Sequence, residues 1–208
     1  GNLRNHKFME AMSNFQLAQV ADKLSGSKNS VRIRNGIGAA YNGLYQYKKA
    51  LNIFNEALES EPDNEYILFN KAIALFDIGE KLFLDSNIQA AEDTIQYGIS
   101  LLKKAKEIEP MFELNLNMGI AYNNINDTAR ALSYYKKDPL ELHAKVNIGQ
   151  MYALSGENEK AKEYWKEVVQ KDSTIKYAQI NLNQMDQYID KPIYTNYYRY
   201  YDNEVFHW

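Results

Sequence analysis

Small and apolar residues recur along this chain at steps of three and four, the pattern of helices with one buried face. Ala11, Phe15 and Ala18 show it, as do Ala50, Phe54 and Ala57. The longest runs are Leu68, Ala72, Leu75, Gly79 and Leu82, then Ile88, Ala91, Ile95, Gly98, Leu102 and Ala105. Between the runs lie breakers and caps. Leu24 to Ser30 is a Ser/Gly loop, and Asp138-Pro139-Leu140-Glu141 reads as N-cap, N1 proline and capping-box Glu. Asp63 and Asp127 are placed to cap the helices after them. The pattern predicts ten helices, near 4–24, 32–44, 47–60, 64–84, 87–109, 111–125, 128–137, 140–155, 158–171 and 174–190.

The helices come in repeating pairs. Gly38 is followed by Tyr41, Ala50, Phe54, Ala57 and Pro62. The same spacing restarts at Gly119 with Tyr122, Ala131 and Tyr135, and at Gly149 with Tyr152, Ala161 and Trp165. A degenerate copy holds Ala72, Leu75, Gly98, Leu102, Ala105 and Pro110. This resembles the tetratricopeptide repeat, a helix–turn–helix unit of about 34 residues. The resemblance covers about residues 31–175 and implies an all-α, right-handed superhelical solenoid of about four units with flanking capping helices. Small Gly and Ala residues are expected where the paired helices cross, with Tyr and Phe filling the gap to the neighbouring unit. Asn126 falls where the family usually has a glycine between helices, a mild change because Asn tolerates left-handed geometry.

Residues 1–30 are then an N-terminal helix, a half-repeat or cap; 31–175 the four units; 176–190 a C-terminal capping helix; and 191–208 an aromatic tail. Two units depart from the repeat length. The second spans 48 residues from Pro62 to Pro110, an excess that predicts a long antiparallel hairpin over 64–109. It should project roughly 10 Å past its neighbours. Its turn is expected near Leu84–Asn87, with Ser86 and Gln89 forming a capping box. The third is about one turn short, and the loss falls in its second helix.

Members of this family usually bind partners on the concave surface lined by the first helix of each unit. Carried over, this selects Arg32, Asn35 and Asn42 from the first unit, and Tyr66, Phe69, Asn70, Ile73 and Phe76 from the second. The third and fourth give Asn117, Ile120, Asn124, His143, Asn147 and Gln150. Asn70, Asn117 and Asn147 form a ladder of amides suited to a peptide backbone. Phe69, Ile73 and Phe76 form an apolar stripe, to be filled by a ligand, by the chain's own termini or by a second copy. Some members clamp a terminal carboxylate with several cations; here the inward positions offer Arg32 and little else, which argues against that use.

Composition narrows the function. The net charge is −3, which argues against binding nucleic acid or anionic membranes through bulk charge. There is no cysteine, hence no disulfide, thiolate metal site or cysteine nucleophile. His6, His143 and His207 have no metal-type partner at i+3 or i+4. Gly36-Ile37-Gly38 with Gly43 lies inside a helix with no strand before it, so it is not a dinucleotide loop. The reading is a non-enzymatic scaffold with no cofactor, whose partner is an unidentified protein or peptide. The alternative is an assembly module whose groove is filled by its own tail and whose hairpin makes homo-oligomer contacts.

The tail is unusual. Residues 193–208 hold five of the seventeen tyrosines, with Phe206 and Trp208. Such a segment is expected to pack, because each ring buries roughly 150–250 Å². No apolar run approaches the roughly 20 residues that span a bilayer. The abundance of Lys, Asn, Tyr and Ile suggests an AT-rich, bacterial source. Gly1 reads as an expression scar, with an export signal, an anchor or further repeats as open alternatives upstream, and the compartment is left open.

Overall fold

A computed structural model describes residues 2–24, 26, 30–108, 114–137 and 141–187. Among these residues there are ten α-helices and no strand. They fall into two compact units, the first holding α1–α5 and the second α6–α10. In the first, α1 is Asn2–Leu24, α2 Ser30–Gly43, α3 Tyr47–Ser60, α4 Glu65–Leu84 and α5 Ile88–Ile108. In the second, α6 is Leu114–Asn124, α7 Thr128–Tyr135, α8 Glu141–Leu154, α9 Asn158–Lys171 and α10 Lys176–Gln187. The pairs α2–α3, α4–α5, α6–α7 and α8–α9 are helix–turn–helix units, as the spacing predicts.

All four pairs turn in the same way. Tyr45, Ser86 and Asn126 sit at φ +61° and Gly156 at φ +82°. In each case the next N–H bonds the carbonyl five residues back: Gln46 to Tyr41, Asn87 to Leu82, Asp127 to Tyr122 and Glu157 to Tyr152, at 2.8–2.9 Å. These are Schellman caps, which satisfy the open carbonyls at a helix end. The next helix starts at once, because Ala50, Ala91, Ala131 and Ala161 donate to the same four linking residues.

The seam within each pair is set by one glycine and one ring. A Cβ at Gly38 would stand 2.5 Å from the ring of Phe54, at Gly119 2.4 Å from that of Tyr135, and at Gly149 2.5 Å from that of Trp165. Each ring comes sixteen residues after its glycine. The aromatic therefore lies over the glycine of its own pair, and Tyr135 also reaches the next pair, where its hydroxyl meets Asn147. Only a missing side chain leaves room for it. Helix α1 treats α2 likewise, with Phe15 on Gly36 and Phe8 on Gly43.

Three predicted caps are corrected or confirmed by geometry. Asn64, not Asp63, caps α4, its Oδ1 accepting from the Ile67 N–H at 3.1 Å. Asp63 instead pairs with Lys104 at 2.7 Å. Asp127 does cap α7, accepting from the Arg130 N–H at 3.0 Å. No Ser86–Gln89 capping box forms: Ser86 is the left-handed turn residue and Gln89 donates to Asp93 at 2.9 Å. Pro110, Asp138 to Leu140 and the tail 193–208 lie outside the described residues.

The long hairpin is present. Asn70 donates to Asn35 and Asn42 to Asp77, both at 3.0 Å, so α2 and α4 lie side by side in a 35-residue register. Their turns at Tyr45 and Ser86 are 41 residues apart. Helix α4 thus overruns α2 by about six residues, roughly 9 Å. At the tip Leu84 and Ile88 are exposed. The short helix of the third pair is α7, eight residues against fourteen in α3 and α9.

Candidate partner-binding face

The first helices of the pairs are buried nearly all round. In α4 every residue from Ile67 to Asp77 is buried, as are Leu116 to Tyr122 in α6 and Val146 to Met151 in α8. Of the expected site residues, Arg32 is exposed, and Tyr66 is 37% exposed. Asn124 and His143 are half-buried. Asn35, Asn42, Phe69, Asn70, Ile73, Phe76, Asn117, Ile120, Asn147 and Gln150 are all buried. Phe76 has its partner inside the chain: a Cβ on Gly98 would stand 2.7 Å from its ring, in the α4–α5 seam.

The amides of the first unit are engaged with one another. The Asn35–Asn70 and Asn42–Asp77 bonds lie two helical turns apart and tie α2 to α4. Each such buried bond stabilises by about 1 kcal/mol, and breaking one leaves a stranded polar group at a larger cost. Nearby, the buried Lys71 stem brings its ammonium to the Tyr97 hydroxyl at 3.2 Å and over the ring at 5.4 Å. That pair escaped the sequence reading, because Tyr97 is off the heptad seam.

In the second unit two of the amide contacts are long. Asn147 points its Nδ2 at the Tyr135 hydroxyl, and Asn123 its Nδ2 at Gln150 Oε1, both at 3.5 Å, the long limit of a hydrogen bond. Asn117 is fully buried, yet neither its Nδ2 nor its Oδ1 has a hydrogen-bond partner. Burial holds the His143 imidazole below its ordinary pKa, with Asp172 acting in the opposite sense. The Asp172 carboxyl is itself held low, first by the Thr174 hydroxyl and then by the Thr174 N–H. Glu167 is also held low, by hydrogen bonds from Lys145 at 2.5 Å and Lys171 at 2.9 Å. Among the described residues, no group of three or more His, Asp or Glu side chains is arranged to hold a metal, and no helix is long and apolar enough to cross a membrane.

Comparison with known proteins adds two findings. The profile of the tetratricopeptide repeat matches residues 31–64 and 142–172, the first and fourth pairs. A TPR repeat-containing protein of Methanocaldococcus jannaschii is 26% identical over 134 residues. The match covers 62% of this chain and 21% of that protein, so the chain spans about a fifth of its relative's length. That relative is archaeal and gives the bacterial source no support. The glycine–ring seams, the four matching turns and these two matches agree: the chain belongs to the tetratricopeptide repeat family.

Proposed function

We propose that this chain is a non-enzymatic scaffold that binds a peptide or protein segment on the faces of its first helices, α2 and α4 in one unit, α6 and α8 in the other. Tetratricopeptide repeats generally mediate protein–protein interaction. The observation that carries the reading here is Asn117. A buried amide with no partner costs about 1–3 kcal/mol per group left unsatisfied. Asn117 is fully buried, so the partner is an extended peptide that displaces what now covers this face and offers the matching N–H and C=O, which offsets the cost.

Asn117→Leu keeps the volume and removes the amide. Peptides selected from a random displayed library with the wild-type chain should bind the variant at least about ten-fold more weakly. The exposed control Lys103→Glu should retain them. Peptides that bind both variants equally would sink this reading.

The burial of the same face favours a second reading, a structural module whose first-helix faces are already occupied. Phe69, Asn70, Phe76, Leu116, Asn117, Val146 and Asn147 are each no more than 1% exposed. The candidate occupant is the aromatic segment 193–208, and Leu84 and Ile88 at the hairpin tip would carry the assembly contact. Deleting 193–208 separates the readings. A folded chain with higher peptide affinity supports a displaceable plug; collapse of the fold makes the segment structural.

A further inference from the structure

The α2–α3 turn departs from its equivalents at two adjacent positions. In the other standard pairs the left-handed residue is Asn126 or Gly156, which tolerate that geometry. Here it is Tyr45, at φ +61°, 55% exposed, and set edge-to-face on Tyr47 at 6.3 Å. The next residue in the α6–α7 and α8–α9 pairs is a carboxylate, Asp127 or Glu157. Each of those is ion-paired to a cation three residues on, Arg130 or Lys160, which in turn lies over the ring of Tyr122 or Tyr152. The equivalent cation here is Lys49, 5.3 Å above the Tyr41 ring, but the carboxylate is replaced by the neutral Gln46. Its neighbour Lys48 is exposed too, and neither lysine has an ion-pair partner among the described residues.

These residues border a hollow of about 760 Å³ in the first unit. Tyr45 and Tyr47 supply aromatic walls, Leu51 and Ile78 an apolar floor, and Lys48 and Lys49 the charge. Among the described residues no carboxylate lines it, in a chain whose net charge is −3. Ile78 is level with Gly43 in the 35-residue register, so the hollow lies where α4 begins to overrun α2.

We propose that this hollow is a second docking site, separate from the first-helix faces, for an acidic segment of a protein partner carrying a large apolar side chain. The carboxylates meet Lys48 and Lys49, and the apolar side chain packs beside the paired tyrosine rings onto Leu51 and Ile78. The amides of Gln46 and Asn52, also on its rim, are placed for the peptide backbone.

The probe is a labelled, end-blocked octapeptide Ser-Asp-Glu-Phe-Leu-Asp-Glu-Ser, followed by fluorescence anisotropy and by amide chemical-shift perturbation on the whole chain. Saturable binding is expected below about 1 mM, with shifts centred on residues 45–52. It should weaken at least about ten-fold in Lys48→Glu/Lys49→Glu and weaken as salt is raised. Tyr45→Gly should weaken it while leaving the fold intact, since it relieves the left-handed strain. Asn117→Leu should leave it unchanged, which separates this site from the one proposed above. Equal binding of the Asn/Gln version of the peptide, or unchanged affinity in both variants, would overturn the proposal. So would concentration-dependent self-association abolished by Lys48→Glu/Lys49→Glu, which would make a second copy the occupant.

Discussion

Adding one methyl group at Gly149 should destabilise the second unit. An ideal Cβ there would stand 2.5 Å from Nε1, 2.8 Å from Cδ1 and 2.9 Å from Cε2 of Trp165. Carbon atoms pack at roughly 3.5–4.0 Å, so the ring must retreat by about 1 Å. It has nowhere to go. Trp165 is fully buried among Val146, Ala161, Val168 and Ile175, and its Nε1 donates to the Val146 carbonyl at 3.0 Å. Overpacking of this kind costs about 1–3 kcal/mol, and the lost hydrogen bond about 1 more. Against this, alanine in a helix gains about 1 kcal/mol over glycine. The net is a loss of about 1–3 kcal/mol. Urea unfolding followed by far-ultraviolet circular dichroism measures it: at an m-value of about 2 kcal/mol/M the midpoint falls by roughly 0.5–1.5 M. Trp165→Phe opens the space, so the double variant should show a coupling of at least about 0.5 kcal/mol. A midpoint that is unchanged or raised in Gly149→Ala, or strictly additive variants, would refute the glycine–ring seam.

Ser86→Gly should raise the unfolding midpoint by the equivalent of about 1 kcal/mol, because it removes left-handed strain from an exposed residue. Gly156→Ala should cost about as much in the opposite sense; nothing lies within 4 Å of its Cβ, so only the φ of +82° resists it. Asn42→Ala removes a donor from the buried Asp77 carboxylate and should cost about 1–3 kcal/mol in the same urea assay. Stability should fall as pH drops below about 6.5: burial lowers the His143 pKa, so the unfolded chain takes up that proton first. His143→Gln should flatten that part of the stability–pH curve, while the Asp172 contribution is lost only at lower pH.

The helices were legible because their burial follows the three–four step, and the early stop of α7 because Asp138-Pro139 announces it. What sequence spacing misses is competition between neighbouring side chains. Asp63 and Asn64 are equally able to cap; Lys104 takes the first and leaves the second to the helix. Ser86 could have opened a capping box, but the turn needs a left-handed residue there, and that geometry excludes it. The partner-binding face was legible as a set of positions but not as a set of contacts. The family's 34-residue interval sets Phe69 beside Asn35. The observed register is 35, so Asn70 stands there and its Nδ2 donates within the chain. A one-residue change of register decides whether an amide faces a neighbour or a ligand, and no single helix records it.

Repetition supplies a measure that a single helix lacks. The interval from Tyr122 to Arg130 to Tyr134 recurs as Tyr152, Lys160 and Tyr164, with the rings stacked at 5.6 Å in both. These stacks hold four of the twelve tyrosines outside the tail, and both include an ion pair to the linking residue. They show what the turn uses when only its own stability is at stake. The α2–α3 turn keeps the ring and the cation, Tyr41 and Lys49, but has Ile53 for the second tyrosine, Gln46 for the carboxylate and Tyr45 for the small left-handed residue. An exposed ion pair contributes at most about 1 kcal/mol and left-handed strain costs about 1–2, so the fold can absorb both changes. Both act in the same direction, since one exposes a ring and the other leaves a positive charge unpaired beside it. Departures that weaken a turn while building one surface are the pattern expected of a contact made outside the chain.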